Sequence, residues 1–182
     1  MLHPFPSTTG GFAEPGIYEK EDGTLWVWIR TWLGHQYDTL STDGGKTWLT
    51  PEPNLKFTST DSPMRVKKVG DLTFAVFNPI PYHCLNEMIK TGRSPRTPLI
   101  CAVSNDDADS FTVRGASFAT GSLDSFIDNV YLLEDDMTQF YCYPSITKTK
   151  DGFLVSYYCY GATSTPCLQS TRIVKIYRNE IT

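Results

Sequence analysis

Glu14 and Tyr143 lie far apart in the chain but hold the same place in a repeated pattern, and a carboxylate beside a phenol has chemical use. Three ten-residue segments align without gaps: Glu14 to Gly23, Ser62 to Asp71 and Tyr143 to Gly152. Each has Pro at its second place and an Asp/Gly pair at its last two. Their first residues are Glu14, Ser62 and Tyr143, and the residues sixteen places beyond these are Arg30, Asn78 and Cys159. A free phenol, with a pKa of about 10, attacks poorly at neutral pH. A neighbouring carboxylate can take its proton as attack proceeds. Such a neutral nucleophile suits a substrate carrying a carboxylate beside its reactive carbon, because an attacking Asp or Glu would be repelled. Arg30 closes the hydrophobic run 25–29, and a guanidinium fork grips carboxylates bidentately. Each residue also has a plainer reading. Glu14 could be a strand-edge charge, Tyr143 a packed aromatic among Tyr141, Tyr157, Tyr158 and Tyr160, and Arg30 an ion-pair partner of Glu14.

The elements that must position these groups are strands. Pro is tolerated at the start of a strand, and Asp-Gly favours tight hairpin turns. Each decapeptide runs into a stretch rich in β-branched and aromatic residues: 24–32, 72–77 and 153–160. Each unit therefore reads as strand, turn, strand. The first continues through a third strand near 35–40 into Ser41-Thr42-Asp43-Gly44-Gly45-Lys46-Thr47-Trp48. In that octet an Asp able to bond nearby backbone N–H groups precedes two Gly that reach φ > 0 without steric cost. The second unit has a longer insertion over 78–93, a third strand at 98–103, and a degraded copy of the octet at 104–111 with Phe in place of Trp. The third ends in an alternating strand over 171–177. The acidic stretch 115–138 reads as a loop with one short helix.

Three four-stranded units with little helix point to propeller blades, with a β-sandwich as the alternative. In a propeller the first strand of every blade lines the central channel, so equivalent first residues open on one mouth. Glu14 and Tyr143 would then meet. The expected boundaries are a flexible leader over 1–11, blades over 12–57, 58–118 and 139–178, and a connector over 119–138. Trp26 and Trp28 share a strand face and read as blade-to-blade packing.

The octet fits the Asp-box pattern S-x-D-G-G-x-T-W at every specified position, and the chain resembles the sialidase (neuraminidase) superfamily of Asp-box, BNR-repeat propellers. The resemblance runs over roughly residues 12 to 178 and corresponds to the C-terminal half of a six-bladed catalytic domain. It implies that Tyr143, in Tyr-Pro-Ser-Ile, is the nucleophile and that Glu14, in Glu-Pro-Gly-Ile, assists it. It implies that Arg30 and Arg96 are two of three arginines holding a substrate carboxylate, with Arg93 competing with Arg96 for that role. The parent chemistry would be retaining hydrolysis of terminal α-linked sialic acid, in which Tyr serves as nucleophile. The family's catalytic Asp acid and first arginine have no counterpart here, so the chain alone is expected to be inactive. The alternative is a non-catalytic propeller module that binds a carbohydrate or a protein.

Composition narrows the partners. At 182 residues with a net charge of −4, nothing electrostatic favours nucleic acid. No run of 18 apolar residues would span a membrane. Neither a cofactor nor a metal is expected, since His3, His35 and His83 are scattered. A Cys84–His83 pair is disfavoured because adjacent strand residues face opposite ways. Cys84, Cys101, Cys142, Cys159 and Cys167 read as reduced thiols, which leaves the compartment open. Glu134-Asp135-Asp136 reads as a solvated turn. A three-bladed arc would leave apolar faces and a β-edge uncovered, so either a homodimer closing the ring or a missing N-terminal half is expected.

Overall fold

Alternating side chains along the middle strands fix the architecture, because they must bury both faces of one sheet. The computed structural model describes residues 11–79, 96–111, 131–136, 138–161 and 170–180. Among these there is no α-helix, and eleven strands form three antiparallel sheets. The first contains β1 (Ala13–Glu19), β2 (Leu25–Arg30), β3 (His35–Ser41) and β4 (Glu52–Thr58), in that order. The second contains β5 (Arg65–Val69), β6 (Leu72–Phe77), β7 (Leu99–Ser104) and β8 (Tyr131–Glu134), also in sequence order. The third is ordered β11-β10-β9 from Ser170–Tyr177, Gly152–Gly161 and Gln139–Lys148. These are three blades of a β-propeller. The first strand of each blade touches its counterpart in the next, β1 against β5 and β5 against β9.

Burial follows from this stacking. In β6, Ala75 and Phe77 face the first blade while Phe74 and Val76 face the third. Trp26 and Trp28 enter the first interface with Phe57 and Phe111. Trp28 is 1% exposed, and its indole N–H donates to Met64 O across the interface at 3.0 Å. Phe74 meets Phe153 in the second interface at 4.2 Å between centroids. Each such side chain, fully buried, contributes roughly 1.5–3 kcal/mol. Cys101 and Cys159 are buried in this interface and Cys142 is buried too, and burial pushes the Cys101 thiol up to about 12. His83, Arg93, Cys84 and Cys167 lie outside the described residues.

The octet after β3 forms the turn its residues encode. Asp43 Oδ1 accepts the backbone N–H of Lys46 and of Thr47 at 2.9 Å each, and Ser41 Oγ accepts that of Gly45 at 2.9 Å. Its outer strand is β4, which starts beyond Trp48. The degraded copy repeats this geometry. Asp106 Oδ1 accepts Ser110 N and Ser104 Oγ accepts Ala108 N, both at 2.9 Å. Asp107 and Ala108 take the positive φ that Gly44 and Gly45 take in the first copy. Asp107 also links the blades by accepting from Tyr18 Oη and pairing with Lys68.

Two differences from expectation stand out. Within the stretch 119–138, Tyr131–Glu134 forms β8, which pairs with β7 and gives the second blade its fourth strand. The four residues are too short a run to show a period in the sequence. Glu134 is also no solvated charge: each of its carboxylate oxygens accepts from Arg172 Nη1 at 2.8 Å, and Oε1 accepts from Tyr157 Oη as well.

A Cβ placed on Gly16 would sit 2.0 Å from the Trp28 ring. Gly16→Ala is therefore expected to displace the indole and destabilise the chain by about 1–3 kcal/mol, read by chemical denaturation together with a shifted Trp emission. Asp43 and Asp106 are held at about 2, chiefly by the hydroxyls of Thr47 and of Ser104. Their folded values lie below the unfolded one, so their stabilisation is complete above pH ~4 and is lost as pH falls toward ~2. Thermal melts of the wild type should decline through that window, and those of Asp43→Asn less steeply.

Candidate active site

The site begins with a backbone irregularity that occurs twice. Ala13 pairs with Arg30 and Gly16 with Trp28, so Glu14 and Pro15 together oppose Ile29. Cys142 pairs with Tyr158 and Ser145 with Ser156, so Tyr143 and Pro144 together oppose Tyr157. Both are bulges, devices that re-aim a side chain. Glu14 has φ 46° and Tyr143 φ 55°, left-handed conformations that cost about 1–3 kcal/mol each in a non-glycine residue. Proline at the next position disfavours the right-handed helical region for the residue before it. The two strained positions are the aligned first residues of the repeat.

The bulges turn the two side chains to one place. Tyr143 Oη donates to Glu14 Oε1 at 3.1 Å. Arg30 Nη1 donates to the other carboxylate oxygen, Glu14 Oε2, at 2.7 Å, and Arg30 Nε pairs with Asp61 Oδ1. Arg96 Nη2 donates to the backbone oxygen of Asp61 at 3.1 Å. The Arg96 guanidinium carbon lies 5.7 Å from the centroid of the Tyr143 ring, in cation–π range. Tyr143, Glu14, Arg30, Asp61 and Arg96 thus form a closed circuit fed by all three blades.

The electrostatics of the circuit follow from burial and pairing. Burial of Arg30 works against its charge, yet the hydrogen bonds and charges of Asp61 and Glu14 outweigh it and push its pKa up. Arg96 is partly buried, which again opposes its charge; Cys142 and Tyr160 beside it outweigh that penalty, while the charge of Arg30 adds to it. Tyr143 is 38% exposed, so its ring is open to solvent. Burial pushes the Tyr141 phenol up to about 12, and burial with Glu134 pushes Tyr157 up as well. Neither neighbouring phenol is suited to ionise.

Arg96 is held through its backbone. Asn78, fully buried, donates from Nδ2 to Arg96 O at 3.0 Å and to Pro98 O at 2.9 Å, while its Oδ1 faces Ser62 Oγ. Ser62 and Asn78 stand in the second blade where Glu14 and Arg30 stand in the first. The repeat aligned these pairs without revealing that the second is a bracket. Asp61 was missed altogether. Its only trace in the sequence is its position, immediately before the repeat's first residue and the sole charge in the run 58–62. Among the described residues no group of three His, Cys, Asp or Glu is placed to hold a metal.

The chain matches the family profile described as a BNR repeat-like domain over residues 3–155. No curated protein matches it. Solved structures similar to it include a protein of unknown function from Dyadobacter fermentans, with TM-score 0.58 and 20% identity over 93% of this chain and 39% of that one. An intramolecular trans-sialidase from Ruminococcus gnavus, in complex with oseltamivir carboxylate, has TM-score 0.62 and 17% identity over 96% and 34%. An α-L-arabinofuranosidase from Fusarium graminearum, in complex with an iminosugar inhibitor, has TM-score 0.53 and 14% identity over 92% and 50%. The chain spans about a third to a half of the length of these proteins.

Asn78→Ala would remove the amide donor from Pro98 O and leave Arg96 O with only the backbone N–H of Tyr141, at a cost of about 1–3 kcal/mol. Urea unfolding should report that loss, and the side-chain NMR signal of Arg96 should move further than that of Arg172.

Proposed function

The chain belongs to the BNR repeat-like domain family, and from that premise we propose that it is the nucleophile-bearing part of a propeller glycosidase acting on an acidic sugar. The observation that carries this reading is the hydrogen bond from Tyr143 Oη to Glu14 Oε1. In the proposed reaction Tyr143 Oη attacks the anomeric carbon while Glu14 accepts its proton and the glycosidic C–O bond breaks. The departing oxygen takes a proton from a general acid, and water then hydrolyses the glycosyl–tyrosine bond with net retention. Arg30 and Arg96 hold the carboxylate of the sugar, and the sugar that best fits a neutral nucleophile between two arginines is a terminal α-linked sialic acid.

Among the described residues neither a general acid nor a third arginine joins the circuit, so this chain on its own should turn over slowly or not at all. Closure of the ring by a second copy or by a separate N-terminal half would also cover Ile17 and Ile173, exposed by 59% and 66% on the first and third blades.

In the closed ring, Tyr143→Phe is expected to lower kcat on a fluorogenic sialoside by about 10³-fold or more, and Glu14→Gln by about 10²–10⁴-fold. Binding of a sialic acid analogue should survive the Tyr143 change. Unchanged turnover in the Tyr143 variant would remove the nucleophile assignment. If no sialoside is cleaved by any form, the domain is a carbohydrate- or protein-binding module instead.

A further inference from the structure

The two guanidiniums of the circuit share one partner that touches neither Tyr143 nor Glu14 in the hydrogen-bond circuit: Asp61. We propose that Asp61 is a positioning residue that sets the spacing and orientation of Arg30 and Arg96, and so the selectivity of the site for a carboxylate. This rests on the reading of the site as a carboxylate-binding one and deepens it.

Three observations carry the inference. First, Asp61 uses both of its acceptor groups, one on each arginine. Its carboxylate takes Arg30 Nε and its backbone oxygen takes Arg96 Nη2 at 3.1 Å. A single residue therefore fixes both cations relative to one another. Second, it is itself held firmly. The residue is only 7% exposed, and its neighbours in the run 58–62 are buried to at least the same degree. Gln36, fully buried, donates from Nε2 to Ser59 Oγ at 2.8 Å and to Ser62 O at 2.9 Å, clasping the run on both sides of Asp61. Third, the arginines repel each other, and burial works against the charge of both. The Asp61 carboxylate offsets that penalty at Arg30, where it is paired with Nε.

The consequence is geometric. A guanidinium offers five N–H donors in a rigid plane. With Nε on Asp61 and Nη1 on Glu14, the rotation of the Arg30 plane is determined, and Nη2 is the nitrogen that neither carboxylate engages. Without the Asp61 carboxylate, Arg30 keeps one anchor and can swivel about it. Arg96 keeps its backbone-oxygen partner, so the pair loses its register while each cation stays charged.

The test uses the full chain and two probes, the methyl α-glycoside of N-acetylneuraminic acid and the methyl ester of that glycoside, titrated by ligand-observed NMR. The wild type should bind the acid at least about tenfold more tightly than the ester. Asp61→Asn, which preserves size and removes the charge, should reduce that ratio toward one, with Asp61→Ala doing the same. A general loss of structure would instead weaken both ligands alike and appear in the thermal melt. Should the asparagine variant fail to fold, Gln36→Ala, which loosens the run 58–62 without touching either arginine, should lower the same ratio. If Asp61→Asn keeps the wild-type ratio, the positioning role is overturned while the carboxylate site stands. If the wild type itself fails to distinguish acid from ester, the carboxylate reading falls and this role falls with it.

Discussion

The left-handed bulge that precedes a proline, made once at Glu14 and again at Tyr143, is the constraint on which the rest of this site depends. In a regular strand each of these side chains would follow the alternation of its sheet, one face or the other. The extra residue breaks that alternation and points both side chains to one mouth of the arc. Strain of this kind persists only where the surroundings enforce it. For Glu14 the enforcement comes from the packing around its own strand. Gly16 sits so close to the Trp28 ring that the strand cannot slide, and Trp28 is itself tied to Met64 in the next blade. The aromatic interface and the bulge at Glu14 are therefore one mechanical unit.

The middle blade is the reference for everything else. Both of its faces are buried, and it supplies Asp61, the Ser62–Asn78 bracket and Arg96, which are the parts that do not touch the proposed reacting atoms but hold those that do. The outer blades supply Tyr143 and Glu14, the proposed nucleophile and its base. At the rim the same division recurs. The turn around Asp106 gives up two glycines, accepting the backbone cost at Asp107 and Ala108, and in return Asp107 reaches Tyr18 and Lys68. A turn of the first type closes only on itself. One of the second type also joins two blades, and the side chain at Asp107 is what glycine lacked.

Much of this was legible in the sequence because it is carried by period and by residue type. The repeat gave the three inner strands, and its aligned first positions gave Glu14 and Tyr143. The alternation of Trp26 and Trp28 gave the packed face. Asp61 was not legible, because a carboxylate in a run of Ser and Thr resembles any polar loop. Only the burial of that loop, with Gln36 beneath it, makes the charge meaningful. The strand Tyr131–Glu134 was hidden for a different reason: its partner β7, not its own pattern, defines it. The bulges had a visible cue in the Pro that follows each, but Pro also starts strands without bulging, as Ser62-Pro63 shows.

The charge balance of the circuit bears on what it can attract. Arg30 and Arg96 contribute two positive charges, and Glu14 and Asp61 two negative ones, so the circuit is close to neutral before a ligand arrives. Long-range attraction of an anion is then weak, and any preference for a carboxylate must come from directed N–H bonds at short range. Some of those donors are already in use, since Nε of Arg30 serves Asp61 and Nη1 serves Glu14. On the proposed reading, an incoming carboxylate that needs two donors of Arg30 has to share Nη1 with Glu14 or displace it. Asp61, buried and clasped, is the harder of the two to move; Glu14, exposed at the mouth, is the easier. A ligand that takes Nη1 therefore loosens Glu14 from the arginine and leaves Tyr143 as its nearest hydrogen-bond partner, so that binding the acid and readying the base are the same event.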